Sequence, residues 1–405
     1  MSAAGVVVVG AGLGAVRLAE NLRADGYVEA ITLIGAEPYA PYDRPPLSKS
    51  VLLGKDDRVE LKPAEFYTDS SITLRLNQRV TAIDPQHKTV TVEFLGDRSD
   101  SAPDVVAYDT LVLATGLAPR GFPGVQARSG VHVVRTYDDA VALRSEIDTA
   151  ATAVVIGAGF IGCEVAASLT ARGVRVSLIE PAPTPLAVAL GEQVGSLVSR
   201  MHTDNGVDVR VGTGVTEIVA DDAGAVVAVR CSDGAELPAD IVVVGIGSVP
   251  VTDYIEGSGI ELAPRDTGGG ISCDSHGKTS SPDVYAIGDV ANWRAEQGAA
   301  QRVEHWNHTV DQAAVVAHEI AGVPGAPIGA SVPYFWSDQF GLKIQVLGRP
   351  RATDTVHVSS DDGTKFLAYY SRDGVLTGVV GVGRAGAVMK TRPKLQTPTP
   401  IDEVL

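Results

Sequence analysis

The sequence predicts an α/β protein made of two copies of one strand–loop–helix–strand unit followed by a smaller α+β region. Three observations carry that prediction. A run of buried-type valines leading into a glycine-rich turn occurs twice, at Gly5–Ala15 and at Ala153–Gly162. Aromatics make up only 5% of the 405 residues, so the core must be built from Val, Ala, Leu and Ile, which suits parallel sheets buried on both faces. Beyond about residue 330 the pattern changes to short alternating segments separated by glycine-containing turns. A chain of this length allows roughly two to three domains.

In the first unit, Val6-Val-Val-Val9 reads as a fully buried strand. Gly10-x-Gly12-x-Gly14-Ala15 then turns the chain into a helix expected to begin near Val16. Gly10 permits the tight turn, Gly12 lets the backbone approach a pyrophosphate, and small Ala15 lets helix pack on strand. A helix N-terminus presents N–H groups and the positive end of its dipole to phosphates. The next strand, Ala30–Ile34, is followed by Ala36 and Glu37, and Glu37 is placed to accept hydrogen bonds from a ribose.

One glycine fingerprint is weak, because any tight strand–helix turn resembles it. Here it recurs. Ala153–Ile156 leads into Gly157-Ala-Gly159-Phe160-Ile161-Gly162, and the strand Arg175–Ile179 ends in Glu180. Two complete units imply two bound dinucleotides. An acid at position 180 favours a free 2′-hydroxyl and repels a 2′-phosphate, and Pro181–Thr184 offers no basic residue to receive one. NADH is therefore expected in preference to NADPH.

Tyr108-Asp-Thr-Leu-Val-Leu-Ala114-Thr115-Gly116 and Ser281-Pro-Asp-Val-Tyr-Ala-Ile-Gly-Asp289 resemble the two later FAD motifs of pyridine-nucleotide flavoprotein reductases, which have the glutathione-reductase-like fold with two Rossmann-like dinucleotide-binding domains. Pro41-Tyr-Asp-Arg44-Pro-Pro-Leu-Ser-Lys49, Arg135–Asp139, Val242–Gly247, Glu304–Asn307 and Phe335–Gln339 are similar to segments of the FAD-dependent ferredoxin reductases of oxygenase systems. The resemblance runs from the N-terminus to about residue 350. It implies FAD on the first unit and NADH on the second. It also places Lys49 beside the flavin, facing Glu164, with this pair as the catalytic candidates. Arg44 and Arg135, the latter meeting the pyrophosphate, the backbone of Val80 meeting the adenine, Ala114–Gly116, Asp289 on the ribityl chain and Trp306 at the flavin's pyrimidine end are implied FAD contacts. Gly245, Ile246 and Gly247 are implied in the NADH site with the Gly157–Gly162 loop. The sequence departs from the family at Ala36, where Asp is common, and at Val251, where Asn is common. The first leaves Glu37 as the ribose acid, and the second loosens the nicotinamide-loop assignment.

The cysteines direct the electrons. Disulfide reductases of the superfamily carry a redox cysteine pair, and some relatives a single thiol, in the stretch that corresponds to Tyr39–Ser50. None is present there. Cys163, Cys231 and Cys273 form no C-x-x-C pair, which points to a reducing cytoplasm and away from a local redox disulfide or cysteine metal knuckle. Cys163 is read as packing. With no thiol relay, electrons leave the flavin for an outside acceptor, and a one-electron [2Fe–2S] ferredoxin fits both the chemistry and the resemblance. His305 and His308 flank Trp306 without a third ligand and read as a helix start, so no metal site is expected.

A net charge of −16 argues against nucleic acid or an anionic membrane as partner. No apolar run is long enough for a membrane span, the opening residues carry no secretory n-region, and a monomer or weak dimer is expected. The motifs imply an interrupted FAD domain, residues 1–110 and 247–325, around an NADH domain, 111–246. Gly322–Gly329 reads as a linker to a C-terminal α+β domain, 326–405, with strands at Lys343–Leu347, Thr355–Val358, Lys365–Tyr370 and Val375–Val382. That last domain holds nine Lys/Arg against seven Asp/Glu. Trp336, Lys343, Arg349, Arg351, Lys390, Arg392 and Lys394 are the candidate dock for an acidic ferredoxin. Competing readings are a reductase of rubredoxin, quinone or another small acceptor, and a redox-responsive interaction protein resembling apoptosis-inducing factor.

Overall fold

The computed structural model describes residues 4–125, 129–294, 300–324 and 332–405. Part of the expected Gly322–Gly329 linker, and with it the 325/326 boundary, lies outside them. The chain divides into two compact units. The first takes in residues up to Asp43, then Val59–Ala118 and Val249–Ser331. The second takes in Arg44–Arg58, Pro119–Ser248 and Val332–Leu405.

The first unit is centred on a five-stranded sheet in the order Val284–Ala286, Thr110–Leu113, Val6–Val9, Ile31–Ile34, Ile72–Arg75. Every neighbouring pair is parallel. All four valines of Val6–Val9 are buried, as a central strand covered on both faces requires. The helix after the first turn runs Leu13–Ala24 and starts earlier than the expected Val16, because the glycine-rich residues already form its first turn. It buries Ala15, Val16, Leu18, Ala19 and Leu22. A three-stranded antiparallel sheet, Gln78–Asp84, Thr89–Phe94 and Asp104–Ala107, is attached. Its register slips between Val80 and Ala82, a bulge that interrupts the ladder beside Val80.

The second unit repeats this plan. Its five strands lie in the order Asp208–Val211, Arg175–Glu180, Thr152–Ile156, Ile241–Val244, Val131–His132, again all parallel. A second three-stranded antiparallel sheet, Val215–Ala220, Val226–Cys231 and Glu236–Pro238, accompanies it. To this repeat the second unit adds a five-stranded antiparallel sheet in the order Tyr334–Gln339, Leu342–Gly348, Val375–Val382, Phe366–Arg372, Thr355–Asp361, followed by the helix Ala385–Thr391. Four of these strands match those expected from the sequence. The strand Tyr334–Gln339 was not among them. One hydrophobic cluster joins this sheet to the nucleotide-fold helix Ala187–Asp204, with Leu190, Val194 and Val198 packed among Ile344, Phe366, Tyr370 and Val380. The Tyr370 hydroxyl donates to the Leu190 carbonyl at 2.7 Å, so the buried phenol is satisfied.

Candidate active site

Each glycine turn is fixed by what lies against it. A Cβ on Gly10, whose φ is +111°, would stand 2.3 Å from the Ala114 carbonyl oxygen. On Gly157, with φ +97°, it would stand 2.4 Å from the Gly245 carbonyl oxygen. The two units therefore bring equivalent loops together: Gly10 beside Ala114–Gly116, and Gly157 beside Gly245–Gly247. Gly12 and Gly159 are the N-caps of their helices, both in extended conformation and without a side-chain cap. A Cβ on either would meet nothing within 4 Å. That open space before uncapped first-turn N–H groups fits a dinucleotide pyrophosphate in each unit. Gly162 is required for a different reason, since its Cβ would fall 2.0 Å from the Gly157 carbonyl oxygen. Gly14 packs inward, and a Cβ there would stand 3.2 Å from the Thr309 methyl. Phe160 meets Phe335 edge-on with centroids 4.8 Å apart, while Ile161 is exposed.

The ribose-acid candidates are anchored differently. Glu180 accepts from the Ala158 N–H at 2.8 Å and the Ala182 N–H at 2.9 Å, which ties it to the glycine turn itself. Glu37 accepts from the Tyr42 hydroxyl at 2.5 Å, and Ala36 is exposed. Elsewhere in the first unit, the Thr115 hydroxyl donates to the Val251 carbonyl at 2.8 Å, and the Val251 N–H donates to the Gly116 carbonyl at 3.1 Å. Val251 thus holds the Ala114–Gly116 loop through its backbone, for which an Asn side chain is not needed. Val80 is buried beside its bulge. Asp289 lies in the short turn Gly288–Val290 after the strand Val284–Ala286, and the Gly288 N–H donates to Gln312 Oε1 at 2.7 Å. Trp306 is the first residue of the helix Trp306–Ala321, and its indole N–H donates to Asp43 at 2.9 Å. His305 caps that helix, and burial, with His308 nearby, pushes its pKa down to about 4. Among the described residues no group of His, Cys, Asp and Glu is arranged to hold a metal ion.

In the second unit the structure brings Lys49 and Glu164 together. The turn Pro45–Ser48 docks on the helix Phe160–Ala171, where the Ser168 hydroxyl donates to the Ser48 carbonyl at 2.7 Å. Lys49 Nζ lies 2.7 Å from Glu164 Oε2 and donates to the Pro45 carbonyl at 3.1 Å. Glu164 is 2% exposed, so this is a desolvated carboxylate that its partners must satisfy. The Ser48 hydroxyl donates to Oε2 at 2.5 Å and the Ser337 hydroxyl to Oε1 at 2.6 Å. Ser48 and Ser337 were not singled out in the sequence: both lie inside family-like segments, but nothing local in either segment marks its serine as a partner of Glu164. Arg44 and Arg135 are also neighbours, the Arg44 guanidinium donating to the Arg135 carbonyl. The Arg135 N–H is held by Asp139, within the capping box that starts the helix Tyr137–Ile147.

The candidate dock residues have separate settings. Lys343 pairs with Asp338 at 3.1 Å and lies 5.4 Å from the Trp336 ring centroid. Arg349, Arg351 and Lys390 are exposed, Arg392 reaches the Val332 carbonyl at 3.5 Å, and Lys394 donates to the Glu403 carbonyl. All three cysteines are buried and free, and burial pushes the Cys163 thiol far up from its ordinary value, which makes it inert. No helix among the described residues is long and apolar enough to cross a membrane.

Residues 4–313 match the family described as pyridine nucleotide-disulphide oxidoreductase, and residues 334–404 match the reductase C-terminal family. The chain is 37% identical to a ferredoxin–NAD(P)(+) reductase of a Sphingomonas species, over 91% of this chain and 87% of that protein. It is likewise 37% identical to rhodocoxin reductase of Rhodococcus erythropolis, over 98% of this chain and 90% of that protein. Among solved structures it is similar to that of a covalent putidaredoxin reductase–putidaredoxin complex, with TM-score 0.90, 29% identity, and coverage of 100% of this chain and 96% of that one.

Proposed function

This chain belongs to the pyridine nucleotide-disulphide oxidoreductase family, and we propose that within it the protein is an NADH:ferredoxin oxidoreductase supplying an oxygenase. It is an FAD-dependent oxidoreductase that uses NAD(P)H. The observation that carries the finer reading is two dinucleotide cradles in a chain whose Tyr39–Ser50 stretch has no thiol and whose three cysteines are buried. FAD, when bound, takes two electrons from a nicotinamide and can release them singly. The chain's own residues do the rest.

Gly10–Ala15 with Ala114–Gly116, Glu37, Val80, Asp289 and Trp306 are our FAD-binding set in the first unit. Gly157–Gly162, Glu180 and Gly245–Gly247 are the nicotinamide-nucleotide set in the second. Glu180, its carboxylate fixed by two backbone amides, supports the preference for NADH, because a 2′-phosphate would meet a negative charge. Lys49, oriented by Glu164, places positive charge for a reduced flavin, and Arg44 and Arg135 are the candidates for pyrophosphate charge. The acceptor is a [2Fe–2S] ferredoxin, in keeping with relatives named for rhodocoxin and putidaredoxin, and the terminal enzyme is a haem-thiolate monooxygenase or a Rieske dioxygenase. Free, buried cysteines support a cytoplasmic location.

The test is NADH oxidation coupled to cytochrome c, with and without added [2Fe–2S] ferredoxin. Turnover that depends on the ferredoxin supports the reading, and equal turnover without it removes the acceptor. Replacing Lys390, Arg392 and Lys394 with Gln should raise KM for the ferredoxin about three- to tenfold at low salt and leave NADH-driven flavin reduction unchanged. An unchanged KM takes the tail out of the dock.

A further inference from the structure

Glu164 is the buried end of a chain of hydrogen bonds that runs away from Lys49. Its Oε1 accepts from Ser337 at 2.6 Å, Ser337 Oγ accepts from Gln339 Nε2 at 3.0 Å, and Gln339 Oε1 lies 2.9 Å from His202 Nε2. Ser337, Gln339 and His202 are all 0–1% exposed, so water does not substitute for any of these bonds. The direction of every bond follows from its last member. A carboxylate can only accept, so Ser337 must donate its hydroxyl proton to Glu164. The serine oxygen then accepts, which requires the NH₂ of Gln339 on that side and its carbonyl towards His202. The imidazole must donate from Nε2 and therefore bears its proton there. Burial pushes the His202 pKa below its ordinary value, consistent with this neutral tautomer. The relay crosses three elements. Glu164 is on the helix Phe160–Ala171, Ser337 and Gln339 are on the strand Tyr334–Gln339, and His202 is on the helix Ala187–Asp204.

We propose that Ser337 is a positioning residue of the Lys49–Glu164 pair, held in its donating orientation by Gln339 and His202. The inference rests on that pair serving the flavin as read above. Three donors converge on one carboxylate, two on Oε2 and one on Oε1. Ser337 is the donor that fixes Oε1, and so fixes the carboxylate plane from which Lys49 takes its position. Removing that donor leaves a buried oxygen unsatisfied, and the carboxylate turns to share both oxygens with Ser48 and Lys49. The lysine is drawn towards Glu164, and its positive charge is more fully spent there.

The test uses the FAD-loaded protein with Ser337→Ala, Ser337→Thr, Gln339→Met and, as a control, Glu164→Gln. Stopped-flow measurement separates the limiting rate of flavin reduction from the Kd for NADH, and dye equilibration gives the flavin midpoint potential. Ser337→Ala should lower the limiting rate about tenfold, change the Kd less than twofold and shift the flavin reduction equilibrium about threefold towards the oxidised form. Ser337→Thr, which restores the hydroxyl, should return rate and potential to within twofold of the parent, and Gln339→Met should fall between. FAD content and melting curves identify a variant that has merely lost its fold. If Glu164→Gln slows reduction while folded Ser337→Ala matches the parent in rate and potential, the positioning role is wrong and the reading of the pair stands. Equal losses in Ser337→Ala and Ser337→Thr also overturn it. If Glu164→Gln itself has no effect, both fall.

Discussion

The first and second nucleotide units are near repeats in strand order, glycine turn and appended antiparallel sheet, yet they differ at one instructive position. Five residues past the N-cap glycine, the first unit has Arg17 and the second has Glu164. Arg17 is part-exposed, pairs with Glu20 at 2.7 Å and lies over the Trp306 ring. Glu164 is buried and holds Lys49. The scaffold is common to both units, and a single helix position decides which copy buries an ion pair. The acids at the second strands differ in the same spirit, Glu180 locked to its own turn and Glu37 to a tyrosine five residues on.

The comparison breaks first at the charges. Lys49→Met or Glu164→Gln should lower the limiting rate of flavin reduction about a hundredfold, the scale of losing an oriented electrostatic group. Arg17→Gln should change it less than twofold, by stopped-flow absorbance. Equal effects would mean that the two helix positions are equivalent after all.

The glycines come next. Gly162→Ala puts a methyl 2.0 Å from a carbonyl oxygen and should destabilise the fold by about 1–3 kcal/mol in denaturant melts. Gly12→Ala meets no protein atom within 4 Å, so it should melt with the parent and yet lose FAD affinity. A Gly12→Ala protein that keeps its FAD would show that the open space is not the phosphate site. Glu180→Ser should raise the NADPH-to-NADH ratio of kcat/KM about tenfold, whereas Glu37→Ser should weaken FAD and leave that ratio alone. The smallest effect concerns His305. Its folded pKa is lowered to about 4 against an unfolded value of 6.5, so the unfolded state binds the proton first. The stability tied to this group is complete above pH 6.5 and is lost as pH falls towards 4. His305→Gln should flatten the pH dependence over that window, read as the difference between the two proteins' melting profiles.

The features legible in the sequence are local ones. A glycine turn, its flanking strands and a terminal acid lie within thirty or so residues, and each needs its own residue type whatever the rest of the chain does. The pair Lys49–Glu164 came only through family resemblance, since 115 positions separate its members. Ser337 and Gln339 lay inside the family-like segment Phe335–Gln339 without either being marked as a site residue, and His202 left no trace. The strand that bears two of them places Phe335, Ser337 and Gln339 on one face, and two polar side chains there erase the alternation by which a half-buried strand is recognised. Their burial makes sense only with Glu164 opposite, which is tertiary information.

Electrons are expected to leave this flavoprotein for an iron–sulfur protein, and a single-turnover experiment reads that step. The protein is reduced anaerobically with one equivalent of NADH and mixed in a stopped-flow instrument with a [2Fe–2S] ferredoxin, a quinone or oxygen. Rapid flavin reoxidation by the ferredoxin alone, matched by bleaching of the cluster, is the expected result. Reoxidation that is slow with ferredoxin and fast with quinone or oxygen would contradict it, as would a reduced protein that gives electrons to none of the three.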